Sequence, residues 1–279
     1  MLASAAWQVS TRRGVTIGFS PLELAMMRYV VPGVIMGLVL GWRTWKPQGL
    51  SWCRLGTIVV GGGAPFGFLV AMGARYAPAA HLSIFLAGTI PLLTACGGWV
   101  VYREKLSGGR VAGLVSIFMG IVTLVISADA SVLAVGDVAF LLAATGAAAY
   151  TLAYRRSGLP PITGLLLVNV WSALMLLPCL VQVDLARVLS APKGELLLQL
   201  AAQMVLGGLL GPLMYLITIK YLGSSRAALT SALPPVIAGI GGQLLLGEPL
   251  TDALVAAMLV VVAGVILASG AVATTTKPP

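Results

Sequence analysis

The chain has 279 residues, 59 % of them hydrophobic and only 9 % charged, against about 45–50 % and about 25 % in soluble domains. At a mean hydropathy of +1.01 it cannot cover a water-facing surface, which excludes a soluble enzyme, a disordered tail and a nucleic-acid module. The net charge of +9, from 17 basic and 8 acidic residues, is therefore read by position before it is read as affinity for anions. Met1–Thr11 is apolar but short, and it ends at Arg12-Arg13. A signal peptide carries its charge before the apolar stretch, so this segment reads as the second half of a helix whose start is missing. Leu24–Trp42 follows, with Arg28 as its one charge. Charge-free runs come next: Leu55–Ala74, Tyr76–Tyr102 (which holds His81), Val111–Ala128, Val138–Tyr154, Ser157–Val183, Leu196–Ile219, Ala227–Gly247 and Ala253–Thr276. About 20 residues of helix cross roughly 30 Å of hydrocarbon. The runs do not alternate as barrel strands do, and helices pair every backbone group internally. The expected count is nine spans plus the partial first one. Cys53, Cys96 and Cys179 have no metal spacing and predict no disulfide framework.

The chain also repeats itself. At an offset of 143, Ala6-Trp7 falls on Ala149-Tyr150 and Arg12-Arg13 on Arg155-Arg156. At 145, Gly62-Gly63 falls on Gly207-Gly208 and Arg75-Tyr76 on Lys220-Tyr221. At 144, Glu104-Lys105-Leu106 falls on Glu248-Pro249-Leu250 and Gly120 on Gly264. The order and near-constant offset divide the chain into halves, 1–131 and 132–279. Five spans per half is an odd number, so the halves must lie in opposite orientations. Such inverted repeats belong to secondary transporters, whose substrate site lies near the midplane between the halves. With the N-terminus in the cytoplasm, Arg43, Lys46, Arg54, Arg103, Lys105, Arg110, Arg155, Arg156, Lys220, Arg226 and Lys277 fall inside, 11 of the 17 basic residues. Asp129, Asp137, Asp184, Glu195, Glu248 and Asp252 fall outside, with Glu23 near the outer surface, which places both termini in the cytoplasm.

Several short motifs then carry a family likeness. Ser20-Pro21-Leu22 precedes Met27-Arg28-Tyr29 in the second helix, Ala74-Arg75-Tyr76 closes the third, and Tyr102-Arg103-Glu104-Lys105-Leu106 ends the fourth. The second half gives Lys220-Tyr221-Leu222, Leu233-Pro234-Pro235 and Leu246-Gly247-Glu248-Pro249-Leu250. In this order, over the whole chain, they resemble the drug/metabolite transporter superfamily in its bacterial EamA branch. The resemblance implies an all-α membrane protein, an inverted repeat of two five-helix bundles with ten transmembrane helices, the first truncated. It implies a multi-pass protein of a bacterial inner membrane that exports a small polar metabolite such as an amino acid. The expected partners are that small molecule and the lipid bilayer, with no nucleic acid; a homodimer stays open. The family's four-helix multidrug relatives exchange protons for cations at a glutamate in the first helix, and none stands here. An uncoupled facilitator of the same fold, or a scaffold with an impaired first helix, are the other readings.

Candidate residues follow from cost and depth. A cation in a span faces a cavity, pairs or snorkels, so Arg28 either holds an anionic group of the substrate or reaches the outer surface or Glu23. Pro91, Pro234 and Pro235 interrupt the fourth and ninth spans at matching places, and interrupted segments in both halves point to a binding site. Among the polar and aromatic residues in spans (Trp7, Tyr150, Asn169, Trp171, Tyr215, Gln243), depth favours Tyr150, Asn169 and Gln243 for a cavity. Asn169 also falls near Arg28 in the repeat. His81 is the only histidine and hence the side chain suited to proton coupling, although its place near the start of the fourth helix suits a solvated or capping role. Glu104 and Glu248 end helices, where an acid opposes the dipole; each should serve the N-terminus of the next helix or pair with a base, and the family resemblance implies hairpin structure or gating there. The clusters Gly61-Gly62-Gly63, Gly207-Gly208, Gly211 and Gly239 to Gly242 read as close helix contacts. No HExxH, GxSxG with partners, Walker loop or cluster of intramembrane acids occurs, so neither catalysis, a metal nor a cofactor is expected.

Overall fold

A computed structural model describes residues 2–40, 46–104, 106–127, 133–229 and 231–269. The expected boundary at 131/132 lies outside them, as do Arg43, Lys105, Asp129, Lys277 and the C-terminal end. The elements are α1 (Leu2–Thr16), α2 (Pro21–Leu40), α3 (Trp52–Gly62), α4 (Ala64–Tyr76), α5 (Ala79–Tyr102), α6 (Gly108–Ser127), α7 (Leu133–Ser157) and α8 (Pro161–Leu176). A 3₁₀ turn (Leu177–Gln182) and the short α9 (Leu185–Ser190) lead to α10 (Lys193–Leu200). The chain then runs through a π-helical stretch, Ala201–Leu210, into α11 (Gly211–Leu229), and ends in α12 (Pro234–Leu246) and α13 (Asp252–Ala268). No strand occurs among the described residues.

Among the described residues, seven stretches are long and apolar enough to cross a bilayer: Pro21–Val39, Trp52–Tyr76, Ala79–Tyr102, Gly108–Ser127, Val135–Ser157, Pro161–Gln182 and Lys193–Tyr221. The remaining apolar helices, α12 and α13, have 13 and 17 residues, and α1 has 15. These are shorter than the roughly 20 residues of a full crossing. Two expectations are corrected here. The first helix does not stop at Thr11: it carries Arg12 and Arg13 in its last turns. The run Ala227–Gly247 is not one helix with a proline interruption. Pro234 and Pro235 open α12 at its first two positions, where a missing N–H costs nothing, and this is why α12 is short. Pro91, by contrast, lies inside the continuous α5.

Local chemistry sets the helix starts. Ser20 and Glu23 form a reciprocal capping box at α2, with Glu23 N–H on Ser20 Oγ (3.2 Å) and Ser20 N–H on Glu23 Oε2 (2.8 Å). The side chains of Ser51, Asp184 and Thr251 cap α3, α9 and α13. Gly63 separates α3 from α4 because a neighbouring helix takes the next amide: Ala64 N–H donates to Ser172 Oγ of α8 at 2.8 Å. A Cβ on Gly63 would lie 2.1 Å from that oxygen.

Packing is reciprocal across the expected halves. α5 packs on α7 and α12 on α1, while α2 packs on α8 and α6 along α13. Glycines make the crossings close. A Cβ on Gly61 of α3 would meet the Gly146 carbonyl oxygen of α7 at 2.1 Å, and one on Gly113 of α6 would meet Gly264 O of α13 at 2.6 Å. Close backbone approach through small residues is what holds helices together when lipid is as apolar as the core. Gly61→Leu should therefore destabilise the detergent-solubilised protein by about 1–3 kcal/mol or prevent folding. Gly56→Ala, where a Cβ meets nothing within 4 Å, should be neutral or raise stability by up to about 1 kcal/mol. Thermal unfolding of the two variants checks the contrast.

Candidate functional site: a cavity with a buried arginine on its wall

A cavity of about 480 Å³ lies among α1, α2, α5, α7, α11 and the π-helical stretch. Its lining in α1 ends at Gln8, in α5 it runs from Leu86 to Ala95, and beyond α10 it begins at Leu206. It extends the other way to Ala3, Arg110 and Ala268, at the ends of α1, α6 and α13 that share one side of the bundle, and to Thr218 along α11. It therefore reaches that side and stops short of the other. The wall is mostly apolar, as small-molecule pockets are.

Arg28 lies on this wall. It is the eighth residue of α2, about 10 Å along the helix from its start, and only 5 % exposed. It neither snorkels nor pairs with Glu23, which binds Arg187 instead. Aromatic rings hold it: its guanidinium carbon is 4.0 Å from the Trp7 ring centroid, 5.2 Å from Tyr29 and 5.4 Å from Phe66. Trp7 is fixed in turn by a buried polar ladder. Its Nε1–H donates to Gln203 Oε1 at 2.8 Å, Gln203 Nε2 donates to Thr11 Oγ1 at 3.0 Å, and Gln199 Nε2 donates to Ser10 O at 2.8 Å. Gln203 lies on the π-helical stretch, a wider winding that is frequent at functional sites. Gly207 and Gly208 on the same stretch let it close on the cradle. A Cβ at 207 would lie 2.6 Å from the Trp7 ring, and one at 208 would lie 2.4 Å from Arg28 O.

The other expected cavity residues divide. Pro91, Tyr150 and Pro234 line the cavity. Asn169 does not: it is fully buried between helices, with Nδ2 on Leu165 O (3.0 Å) and Gly208 O (3.1 Å). Gln243 is exposed on the outside of α12. Asn169 lies midway along α8 but is turned into a helix contact, and Gln243 lies near the C-terminal end of α12, beside the Glu248 end of the bundle. Trp7 and Tyr215 line the cavity too, with Tyr215 OH 2.9 Å from Thr151 Oγ1. Sequence reasoning missed Gln8, Thr94, Gln199 and Gln203. The last two are polar residues spaced i, i+4 at the start of an apolar run, a pattern that places them on one helix face.

The end away from the cavity mouth is laced with charges. Arg12 Nε donates to Glu248 Oε1 at 2.7 Å, and Arg12 Nη1 to Ala74 O at 2.7 Å. Glu248 Oε2 also accepts the first N–H of α5, from Ala79, at 2.9 Å, so it serves another helix's N-terminus, though not that of the next helix. Arg13 binds both oxygens of Glu195. His81 is neither solvated nor a cap: it is buried in the first turn of α5, with Nδ1 3.0 Å from Asp137 Oδ1 of α7. Glu104 lies at the far end of α5, about 36 Å of helix away. There it binds Arg155 at 2.5 Å, with Arg110 3.8 Å off.

Many apolar helices, packed through glycines around a mostly apolar cavity with a few buried polar groups, define a multi-pass membrane protein. The chain belongs to the EamA-like transporter family, whose model matches residues 1–126 and again 134–270. Members of that family are membrane transporters of the drug/metabolite type, so a bilayer and a small-molecule substrate are its partners. Comparison with curated proteins gives no match. A solved structure described only as "Crystal structure of protein" is similar in fold, with a TM-score of 0.62 and 18 % identity over 95 % of this chain and 94 % of that one.

The polar ladder gives a direct expectation. A single interhelical hydrogen bond in a membrane protein averages about 0.6 kcal/mol, but Gln203→Leu strands the buried Trp7 N–H as well. The cost should be about 1–3 kcal/mol, read as a fall in melting temperature, with Gln203→Glu intermediate.

Proposed function

We propose that the protein is a secondary carrier that moves a small polar metabolite, such as an amino acid, out of the cell by alternating access. The halves 1–131 and 132–279 rock against each other around the cavity, in ten crossings with both termini cytoplasmic in a bacterial inner membrane. The observation that carries this reading is the one-sided cavity between the halves, reaching one end of the bundle and shut off from the other. Its closed end is held by Arg12–Glu248, which joins an α1 base to the acid after α12. The counterpart in the repeat, Arg155–Glu104, joins an α7 base to the acid after α5 at the opposite end. An inverted repeat places equivalent contacts at opposite faces; Arg12–Glu248 serves as the gate of the closed end, while Arg155–Glu104, made at the end where the cavity opens, ties α7 to the end of α5 without closing it. His81–Asp137 adds a second tie at the closed end. In this state the cavity faces the cytoplasm.

Counterflow in proteoliposomes tests the carrier. Preloading with unlabelled substrate should drive saturable uptake of labelled amino acids or small organic acids. Flux that never exceeds equilibration would indicate a facilitator and overturn the exchange mechanism. Glu248→Gln keeps an acceptor for Ala79 N–H but removes the ion pair. It should weaken the closed end by about 1–3 kcal/mol, a population shift of roughly 5- to 150-fold, and slow exchange accordingly.

A further inference from the structure

Three polar side chains on the cavity wall are buried and incompletely matched. Nε and Nη1 of Arg28, Oε1 of Gln8 and Oγ1 of Thr94 have no hydrogen-bond partner, and the three residues are 5 %, 3 % and 9 % exposed. All three line the same cavity. Unmatched polar atoms at such depth are costly, and an unpaired guanidinium costs most. The rings of Trp7, Tyr29 and Phe66 spread the charge of Arg28 over their faces, but a ring face does not satisfy planar N–H donors pointing along their own directions. Among the described residues Arg28 makes no ion pair. No Asp or Glu lines the cavity, whereas a second cation, Arg110, does so at the mouth, close to Glu104. The cavity is therefore positive, with charge-assisted donors on its wall and an apolar body.

We infer that the cavity takes a small organic acid whose carboxylate lies on Arg28 and whose apolar portion fills the wall, and that it rejects organic cations. This rests on the carrier reading of the same cavity and names the substrate class. A guanidinium donates two parallel hydrogen bonds to a carboxylate, which completes the donors the rings leave open. Gln8 Oε1 and Thr94 Oγ1 offer an acceptor and a hydroxyl to a neutral or ammonium substituent on the same molecule. An organic cation meets the unpaired charge of Arg28, and the wall around it supplies no carboxylate to offset that charge.

The test is binding to the purified full chain in nanodiscs, read by tryptophan fluorescence and by thermal shift. The ligands are 4-methylpentanoate, its neutral isostere 4-methylpentanamide and the cation 3-methylbutylamine. The acid should bind saturably, the amide roughly ten- to a hundredfold more weakly, and the amine not at all. Arg28→Gln should abolish the preference of acid over amide, and Arg28→Lys should keep part of it. Equal binding of acid and amide, tighter binding of the amine, or no saturable signal from the acid overturns the proposal; the unmodified chain suffices for these outcomes if Arg28 variants fail to fold. Counterflow separates the two claims. Acid binding without exchange would refute the carrier and leave this site standing, whereas exchange of amides or amines without acid preference would refute the site and leave the carrier.

Discussion

A permanent positive charge inside a membrane protein has to be held by something, and in this chain aromatic rings hold it. Arg28 is buried within α2 against Trp7, Tyr29 and Phe66. That choice propagates outward. Trp7 can present its face to Arg28 only if its indole N–H is satisfied elsewhere, which Gln203 does. Gln203 can reach it because the segment between α10 and α11 winds as a π-helix bearing Gly207 and Gly208 where the cradle is tightest. The helix that supplies Trp7 also supplies Arg12 and Arg13, whose partners Glu248 and Glu195 tie it to the second half of the chain. α1 thus contributes the cradle on one side of its length and the closed end on the other.

The electrostatics of the bundle are correspondingly uneven. Four ion pairs lie at the end away from the cavity mouth among the described residues: Arg12 with Glu248, Arg13 with Glu195, Arg187 with Glu23, and His81 with Asp137. Several of these are partly exposed, where an isolated pair contributes about 0–1 kcal/mol. Their weight lies in geometry, because each ties helices distant in sequence at the one end where the cavity stops. Glu248 goes furthest, since it also satisfies the first amide of α5. At the other end, among the described residues, Glu104 joins Arg155, with Arg110 3.8 Å away.

Much of the architecture was legible in the residues. Long charge-free runs gave most of the helices to within a few residues, since a bilayer demands length and apolarity and little else. The repeat register paired Arg12 with Arg155 and Glu104 with Glu248, and the structure joins each base to an acid of the other half. What the sequence left open was direction around the helix axis. Asn169 lies midway along α8 but is clamped between helices, and Gln243, near the end of α12, is exposed. The membrane-facing side of a helix is as apolar as its packed side, so hydrophobic periodicity does not orient it. Pro234 and Pro235 were legible as backbone constraints, but whether a proline kinks a helix or starts one depends on the N–H groups around it. The burial of His81 was hidden because its partner Asp137 is 56 residues away.

The central claim is that one cavity is exposed to the two sides of the membrane in turn. Spin-label distances across the two ends in a bilayer test it most directly, with one pair at Ile17 and Asp252 and a second at Gly109 and Arg156. The account predicts that, under exchange conditions, a population appears in which the first distance lengthens as the second shortens. Both distances staying fixed, or lengthening together, would contradict it.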